Sequence, residues 1–143
     1  LFMIVLFHTA RAMSVAAFPS QSMQFAAETF NRVAAPGAML ISDERPEFEH
    51  VAVLNFYAAQ PVMLLRKPEG SILYFLTQDR QAVCVDDADV GRLHRQGRPM
   101  YLVGATAETK NRLSRLHVPF TVLSSAGSRS LFRLEPARTP GTP

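Results

Sequence analysis

The sequence predicts an α/β fold in which helices cover both faces of a mainly parallel β-sheet. Three observations support this fold class. Short apolar runs bounded by turn residues are typical of buried strands, and they recur at 38–42, 62–65, 82–85 and 99–103. Segments with apolar residues at helical spacing separate these runs. The chain of 143 residues is long enough for one domain with a sizeable core. No sequence unit of about 20 to 50 residues is repeated along the chain, so a repeat architecture is not predicted.

Proline and glycine residues mark where the first two predicted helices end. Pro36-Gly37 ends a helix whose apolar positions recur every three to four residues, and the first strand follows directly. A second helix is predicted from Glu47 to Ala58, because its apolar residues form one stripe. Pro61 then leads into the second strand, since proline does not continue a helix.

The middle of the chain is less regular. The apolar residues 72–76 fit either a short helix over 71–79, which we favour, or one arm of a hairpin. The next strand is predicted at 82–85. A helix then begins at the acidic residues that start with Asp86, where the helix dipole favours negative charge, and it ends at Gly97.

The last part of the chain predicts one more helix and a hairpin. Thr106 is the expected cap of the helix, and the runs 120–123 and 130–134 flank a turn at 126–128. The alternation of strand and helix therefore predicts a three-layer, Rossmann-like domain. Its sheet is expected to be mainly parallel, with about five to six strands and a C-terminal antiparallel hairpin.

The two ends differ in composition from the predicted domain at 19–135. Residues 1–18 are mostly apolar, and we expect the end of a truncated transmembrane helix; a buried strand and a signal segment are the other interpretations. Residues 136–143 contain three prolines and no apolar periodicity, which predicts a disordered tail.

Composition excludes several classes of function. The net charge is +3, and the thirteen arginines are scattered along the sequence, which argues against a nucleic-acid partner. Cys84 is the one cysteine, so an internal disulfide and a thiolate zinc site are excluded. The sequence contains no phosphate-binding glycine loop and no nucleophile elbow, and the four histidines have no ligand spacing. We therefore assign no catalytic residue, metal site or cofactor to this chain.

Four residues follow predicted strands and are candidates for binding a small ligand. They are Asp43, Asp86, Asp87 and Gly104, and open α/β sheets bind ligands where their strands end. Carboxylates there could hold Mg²⁺ or a sugar hydroxyl. The other interpretation, which we favour for the acidic residues around Asp86, is a helix cap with favourable first-turn charge.

Phe56 and Tyr57 are adjacent on a predicted helix, so one of the two rings must point away from the main apolar stripe. Packing beneath a loop would explain this arrangement. The alternative is an interface with another part of a larger protein, because aromatic residues are enriched in such contacts.

The order of these motifs resembles the C-terminal domain of polytopic membrane glycosyltransferases, the family of aminoarabinose transferases and protein mannosyltransferases. An apolar segment precedes a helix, the turn Pro36-Gly37-Ala38 and a strand, and a helix then passes from Tyr57 to Pro61-Val62. Gln60 stands where many relatives have arginine. The resemblance covers about residues 20 to 135.

The resemblance implies a bacterial inner-membrane enzyme that moves a sugar from a polyprenyl-phosphate carrier to an acceptor. Its catalytic residues, and any divalent metal, would lie outside this chain. This chain would be a non-catalytic domain facing the periplasm, partnered by the transmembrane portion of its own polypeptide. It would cap that portion and shape access for the acceptor. The alternatives are a free-standing, Rossmann-like domain that binds a small ligand and a protein-interaction module.

Overall fold

The computed structural model describes residues 23–43, 54–65 and 84–136. In chain order, the helices and strands are α1 (Gln24–Val33), β1 (Met39–Ser42), β2 (Val62–Leu64), α2 (Asp87–Arg95), β3 (Met100–Ala105), α3 (Thr106–Arg115), β4 (Phe120–Ala126) and β5 (Arg129–Leu134). Residues 54–57 are also helical and form the described part of the second predicted helix. The α/β fold class is therefore confirmed.

The strands form one five-stranded sheet in the order β2-β1-β3-β5-β4. β1 is parallel to both β2 and β3, whereas β5 is antiparallel to both β3 and β4. The C-terminal hairpin is confirmed, but β5 lies inside the sheet and β4 lies at its edge. The described sheet is consequently mixed, with two parallel and two antiparallel pairings, rather than mainly parallel.

The side chains of the central strands alternate between two apolar clusters, one on each face of the sheet. One cluster joins Leu40 and Tyr101 to α1, including Phe30, whose ring meets that of Tyr101 edge to face at 5.1 Å. The other joins Ile41 and Leu102 to residues of α2 and α3. Successive residues of a strand point to opposite faces, so the strands contribute side chains to both clusters. Each cluster also contains helix residues, so helices cover both faces of the sheet.

The helix ends explain where the chain turns. Asp86 caps α2 through a capping box with Asp89, and Gly97 has a φ of 71° directly after the C-cap, as the sequence predicts. The predicted Thr106 cap of α3 is wrong: the N-cap is Ala105, and no side chain caps it. Thr106 is the first residue of the helix, and its hydroxyl lies 2.7 Å from that of Ser130.

Several predictions lie outside the described residues. They are the apolar segment 1–18, the helix over 71–79, the first half of the strand at 82–85, and the tail beyond Pro136. The described end of that strand, Cys84, forms a parallel bridge with Leu64 of β2. Among the described residues, no helix is long and apolar enough to cross a membrane.

Candidate functional site at the carboxyl edge of the sheet

The strand order reverses between β1 and β3, because β2 lies on one side of β1 and β3 on the other. Asp43 follows β1, and its backbone N–H donates to the carbonyl of Val103, which precedes Gly104 in β3. The sequence-predicted residues Asp43 and Gly104 therefore meet where the strands end. We call this side of the sheet, with the residues Asp43, Asp86, Asp87 and Gly104, the carboxyl edge. A reversal of strand order is where open α/β sheets bind ligands.

The protein's own side chains fill the space over Gly104. A Cβ atom at this position would lie 2.7 Å from Oγ1 of Thr109 and 3.0 Å from Cβ of Asp43. The first distance is shorter than real Cβ atoms show and the second is unusually tight, so a larger residue between β3 and α3 would force Thr109 or Asp43 to shift. The glycine thus allows close packing of the chain against itself.

Asp43 is a buried carboxylate that α3 neutralises. Its side chain is 1% exposed, and Oδ2 accepts a hydrogen bond from the Thr109 hydroxyl at 3.2 Å. Nε of Arg112 is also buried and lies 3.2 Å from the same oxygen, as an ion pair without hydrogen-bond geometry. A buried carboxylate needs such partners, since an unpaired charge in the interior is strongly destabilising.

Arg112 extends this network to the start of α2. Its Nη1 donates to Oδ1 of Asp87 at 2.7 Å, and the side chain of Asp87 is 45% exposed. One guanidinium therefore holds together the end of β1, the start of α2 and the middle of α3. Chemically, the arrangement joins two carboxylates through one cation, and it fixes three elements at the carboxyl edge.

Asp86 is engaged in a different way. Its Oδ1 accepts from the backbone N–H of Asp89 at 2.8 Å, as the capping interpretation predicts. The structure therefore brings Asp43, Asp87 and Gly104 into one packed arrangement and places Asp86 beside it, in the cap of α2. Within the described ranges, no group of three or more His, Cys, Asp or Glu side chains could hold a metal ion.

Arg112 and Thr109 are the residues of this site that the sequence analysis missed. They lie three positions apart on α3 and therefore share one face of the helix. Thr109 is completely buried, and Leu113 is buried beside it. The available signal was a polar residue and an arginine next to the apolar stripe of this helix.

A chain of hydroxyl groups lies beside the network, where β5 begins. Ser130 is fully buried, and its Oγ lies 2.7 Å from Oγ1 of Thr106 and 2.8 Å from Oγ of Ser125. The backbone N–H of Thr106 donates to the carbonyl of Ser128. These bonds fasten the start of α3 to the β4–β5 hairpin and account for why Thr106 does not cap its helix.

Phe56 and Tyr57 differ in exposure. Phe56 is 64% exposed, whereas Tyr57 is half-buried against the cluster under α1, and the two rings meet at 5.3 Å. Asn31 of α1 holds this segment in place, because its amide donates to the carbonyl of Tyr57 and accepts from the N–H of Ala59, both at 2.8 Å. Of the two predicted interface residues, Phe56 is therefore the more exposed.

The motifs that carry the family resemblance both lead into parallel strands. Gly37 has a φ of 79°, a conformation that favours glycine, and Ala38 donates to the carbonyl of Ala35, which closes the turn before β1. Val62, at the end of the second motif, is buried and pairs with Leu40. Both motifs thus set the start of a strand.

At the other end of the sheet, the carboxyl group of Glu135 has a shifted pKa. The pKa of Glu135 lies below its ordinary value, because Thr121 and Arg133 donate hydrogen bonds to it. Nearby, the buried His94 lies with Nε2 2.7 Å from the backbone carbonyl of Glu135. These contacts fasten the end of β5 to β4 and α2.

The fold matches two crystal structures of ArnT from Cupriavidus metallidurans. The TM-score is 0.61 at 20% identity for ArnT bound to undecaprenyl phosphate, and 0.60 at 21% identity for the apo state. Each match covers 80% of this chain and 20% of ArnT, so the chain spans about a fifth of that protein's length. At these identities, the likeness establishes the fold. No protein-family model and no curated protein matches the chain.

Proposed function

We propose that this chain is a non-catalytic, extracytoplasmic domain of a bacterial inner-membrane glycosyltransferase. The enzyme would transfer a sugar from a polyprenyl-phosphate donor, with the transmembrane portion of the same polypeptide supplying catalysis. The observation that carries the proposal is the fold match, which covers 80% of this chain but 20% of ArnT. ArnT is an aminoarabinose transferase, and aminoarabinose transferases are the family that the turn at Pro36-Gly37 and the step from Tyr57 to Val62 resemble.

The contacts at the carboxyl edge support a structural role for the candidate residues. Asp43 and Asp87 are paired with Arg112, and Asp86 caps α2. A general acid or base needs a carboxyl group that is accessible to substrate. These carboxylates instead bind the chain's own cation and backbone, which suits a domain that caps the membrane portion. The exposed Phe56 ring would lie on the side of the domain that faces the membrane.

Sugar transfer by the complete polypeptide tests this assignment. Asp87 is the most exposed acid of the network, and Asp87→Asn removes its charge while Arg112 keeps Asp43 as a partner. Membranes containing the Asp87→Asn protein should transfer sugar from a polyprenyl-phosphate donor within about twofold of the unchanged protein. Glu108→Gln, at an exposed acid in the first turn of α3, is the matched control.

A catalytic acid or base would behave differently, because its removal costs about 10²- to 10⁴-fold in rate. A loss of this size in Asp87→Asn, at equal protein amounts and with Glu108→Gln unchanged, would contradict the non-catalytic role. Absence of polyprenyl-dependent transfer by the unchanged polypeptide, with a working donor and acceptor, would contradict the assignment to a glycosyltransferase.

A further inference from the structure

Four exposed arginines lie on the side of the sheet opposite the carboxyl edge. The helices α1, α2 and α3 each lead back to this side before the next strand begins, and we call it the amino edge. Its arginines are Arg32, Arg95 and Arg115, in the last turns of these helices, and Arg98, in the loop before β3. None of the four forms an ion pair with another described residue.

The acidic residues are concentrated on the other side. Asp43 and four acids in the N-terminal parts of α2 and α3 (Asp86, Asp87, Asp89 and Glu108) belong to the carboxyl edge. Glu28 lies midway along α1. Of the acids that the structure describes, Glu135 alone lies at the amino edge, and Arg133 pairs with it at 2.9 Å. In the described part of the domain, most acidic residues therefore lie at the carboxyl edge, and the amino edge carries a net positive charge.

The helix dipole accounts for only part of this pattern. Cations are favoured in the last turn of a helix, which explains Arg32, Arg95 and Arg115 individually. It does not explain Arg98, which lies in a loop, or the apolar side chains that share this edge. Val33, the last residue of α1, is 47% exposed, and Phe56 is 64% exposed.

The two exposed apolar side chains belong to segments that are fixed to each other. Asn31, two residues before Val33, makes both of its amide hydrogen bonds to the backbone that follows Phe56. The amino edge thus combines two apolar side chains on fixed segments with four guanidinium groups that form no ion pair with the described residues. This combination is typical of surfaces that bind the headgroup region of an anionic bilayer, where basic residues meet lipid phosphates and apolar residues enter the interface.

We propose that the amino edge is a docking surface for an anionic phospholipid bilayer. The arginines contact the lipid phosphates, for which guanidinium groups are well suited, and Phe56 and Val33 enter the headgroup region. Each arginine near such a surface strengthens binding by about fivefold. The proposal stands on the charge and exposure of this edge and does not rest on the proposed function.

Cosedimentation with lipid vesicles tests the proposal on the 143-residue chain. The vesicles contain phosphatidylcholine alone or mixed with phosphatidylglycerol, and the measured quantity is the ratio of the two partition coefficients. The apolar segment 1–18 is identical in all variants, so its contribution cancels when their ratios are compared. Arg98→Gln should lower the ratio by about fivefold, and Arg95→Gln with Arg98→Gln by about 25-fold.

Lys110→Gln is the matched control, because Lys110 is an exposed cation midway along α3 and away from the amino edge. It should leave the ratio unchanged, and the melting temperatures should agree among all variants. The proposal is wrong if the unchanged chain does not prefer anionic vesicles, or if Lys110→Gln and Arg98→Gln lower the ratio equally. It is also wrong if a DNA duplex, rather than the vesicles, binds the chain and loses binding in the double variant.

Discussion

Arg112→Met should lower the free energy of unfolding by about 3–5 kcal/mol, the usual cost of removing one partner of a buried ion pair. The Asp43 side chain is 1% exposed, and Arg112 is the cation that lies against it, 3.2 Å from the carboxylate oxygen that also accepts a hydrogen bond from the Thr109 hydroxyl. Methionine keeps most of the apolar stem of the arginine. The loss at Asp87 contributes little, about 0–1 kcal/mol, because that side chain is 45% exposed.

Urea unfolding of the chain, followed by circular dichroism, measures this loss as a shift of the midpoint at constant slope. Lys110→Met is the control on the same helix and should change stability by no more than about 0.5 kcal/mol, since Lys110 is exposed. Adding Asp43→Asn to Arg112→Met should recover at least half of the loss, because the buried charge is then gone. A cost below about 1 kcal/mol for Arg112→Met would refute the reasoning, since exposed pairs contribute that little.

Four further substitutions test local packing, backbone strain and charge. Gly104→Ala should destabilise the chain by about 1–3 kcal/mol, because its Cβ would lie 2.7 Å from Oγ1 of Thr109. Gly91→Ala, within α2, should instead stabilise the chain by about 0.5–1 kcal/mol, because alanine favours a helix more than glycine does. Equal urea midpoints for the two variants would contradict the close packing at Gly104. His117→Gly should raise the free energy of unfolding by about 0.5–1 kcal/mol, because His117 has a φ of 52°, and a lower melting temperature would argue against this source of strain. Glu135→Gln should remove part of the acid sensitivity: the folded pKa is lowered, so the stabilisation is present above the unfolded value of about 4.5 and is lost as the pH falls. Melting temperatures between neutral and acidic pH check this, and an unchanged pH dependence would contradict it.

Within the described residues, local signals of the sequence predicted most of the helices and strands. Gly97 ends α2 as expected, because left-handed backbone after a helix favours glycine, and Asp86 caps the same helix. Asp43 and Gly104 could be placed together in advance, since the ends of neighbouring parallel strands share one edge of a sheet. These predictions depend on contacts between residues that are near in sequence, or on the geometry of a parallel sheet.

The order of the last two strands depends on long-range packing and could not be predicted in this way. The turn at Gly127 indicates a hairpin but not which arm lies next to β3. Burial decides it: β5 contributes the buried side chains of Leu131 and Phe132, whereas most residues of β4 are exposed or half-buried. β5 therefore lies between β3 and β4.

The charges of the site also needed the fold. An arginine on a helix is ordinarily a solvent-facing residue, so the position of Arg112 next to the apolar stripe did not by itself indicate that it binds a carboxylate beneath its helix. The arginines of the amino edge are likewise scattered along the sequence. They share one edge because each helix returns to the same side of the sheet before the next strand.

The size and location of the native polypeptide test the central claim most directly. Cells of the source organism would be fractionated, and this domain detected with an antibody raised against the described residues. The account predicts recovery in the membrane fraction, in a polypeptide several times larger than 15.9 kDa. Recovery of a species near 15.9 kDa outside the membrane fraction would contradict it, and the carboxyl edge would then be tested as the site of a free-standing ligand-binding domain.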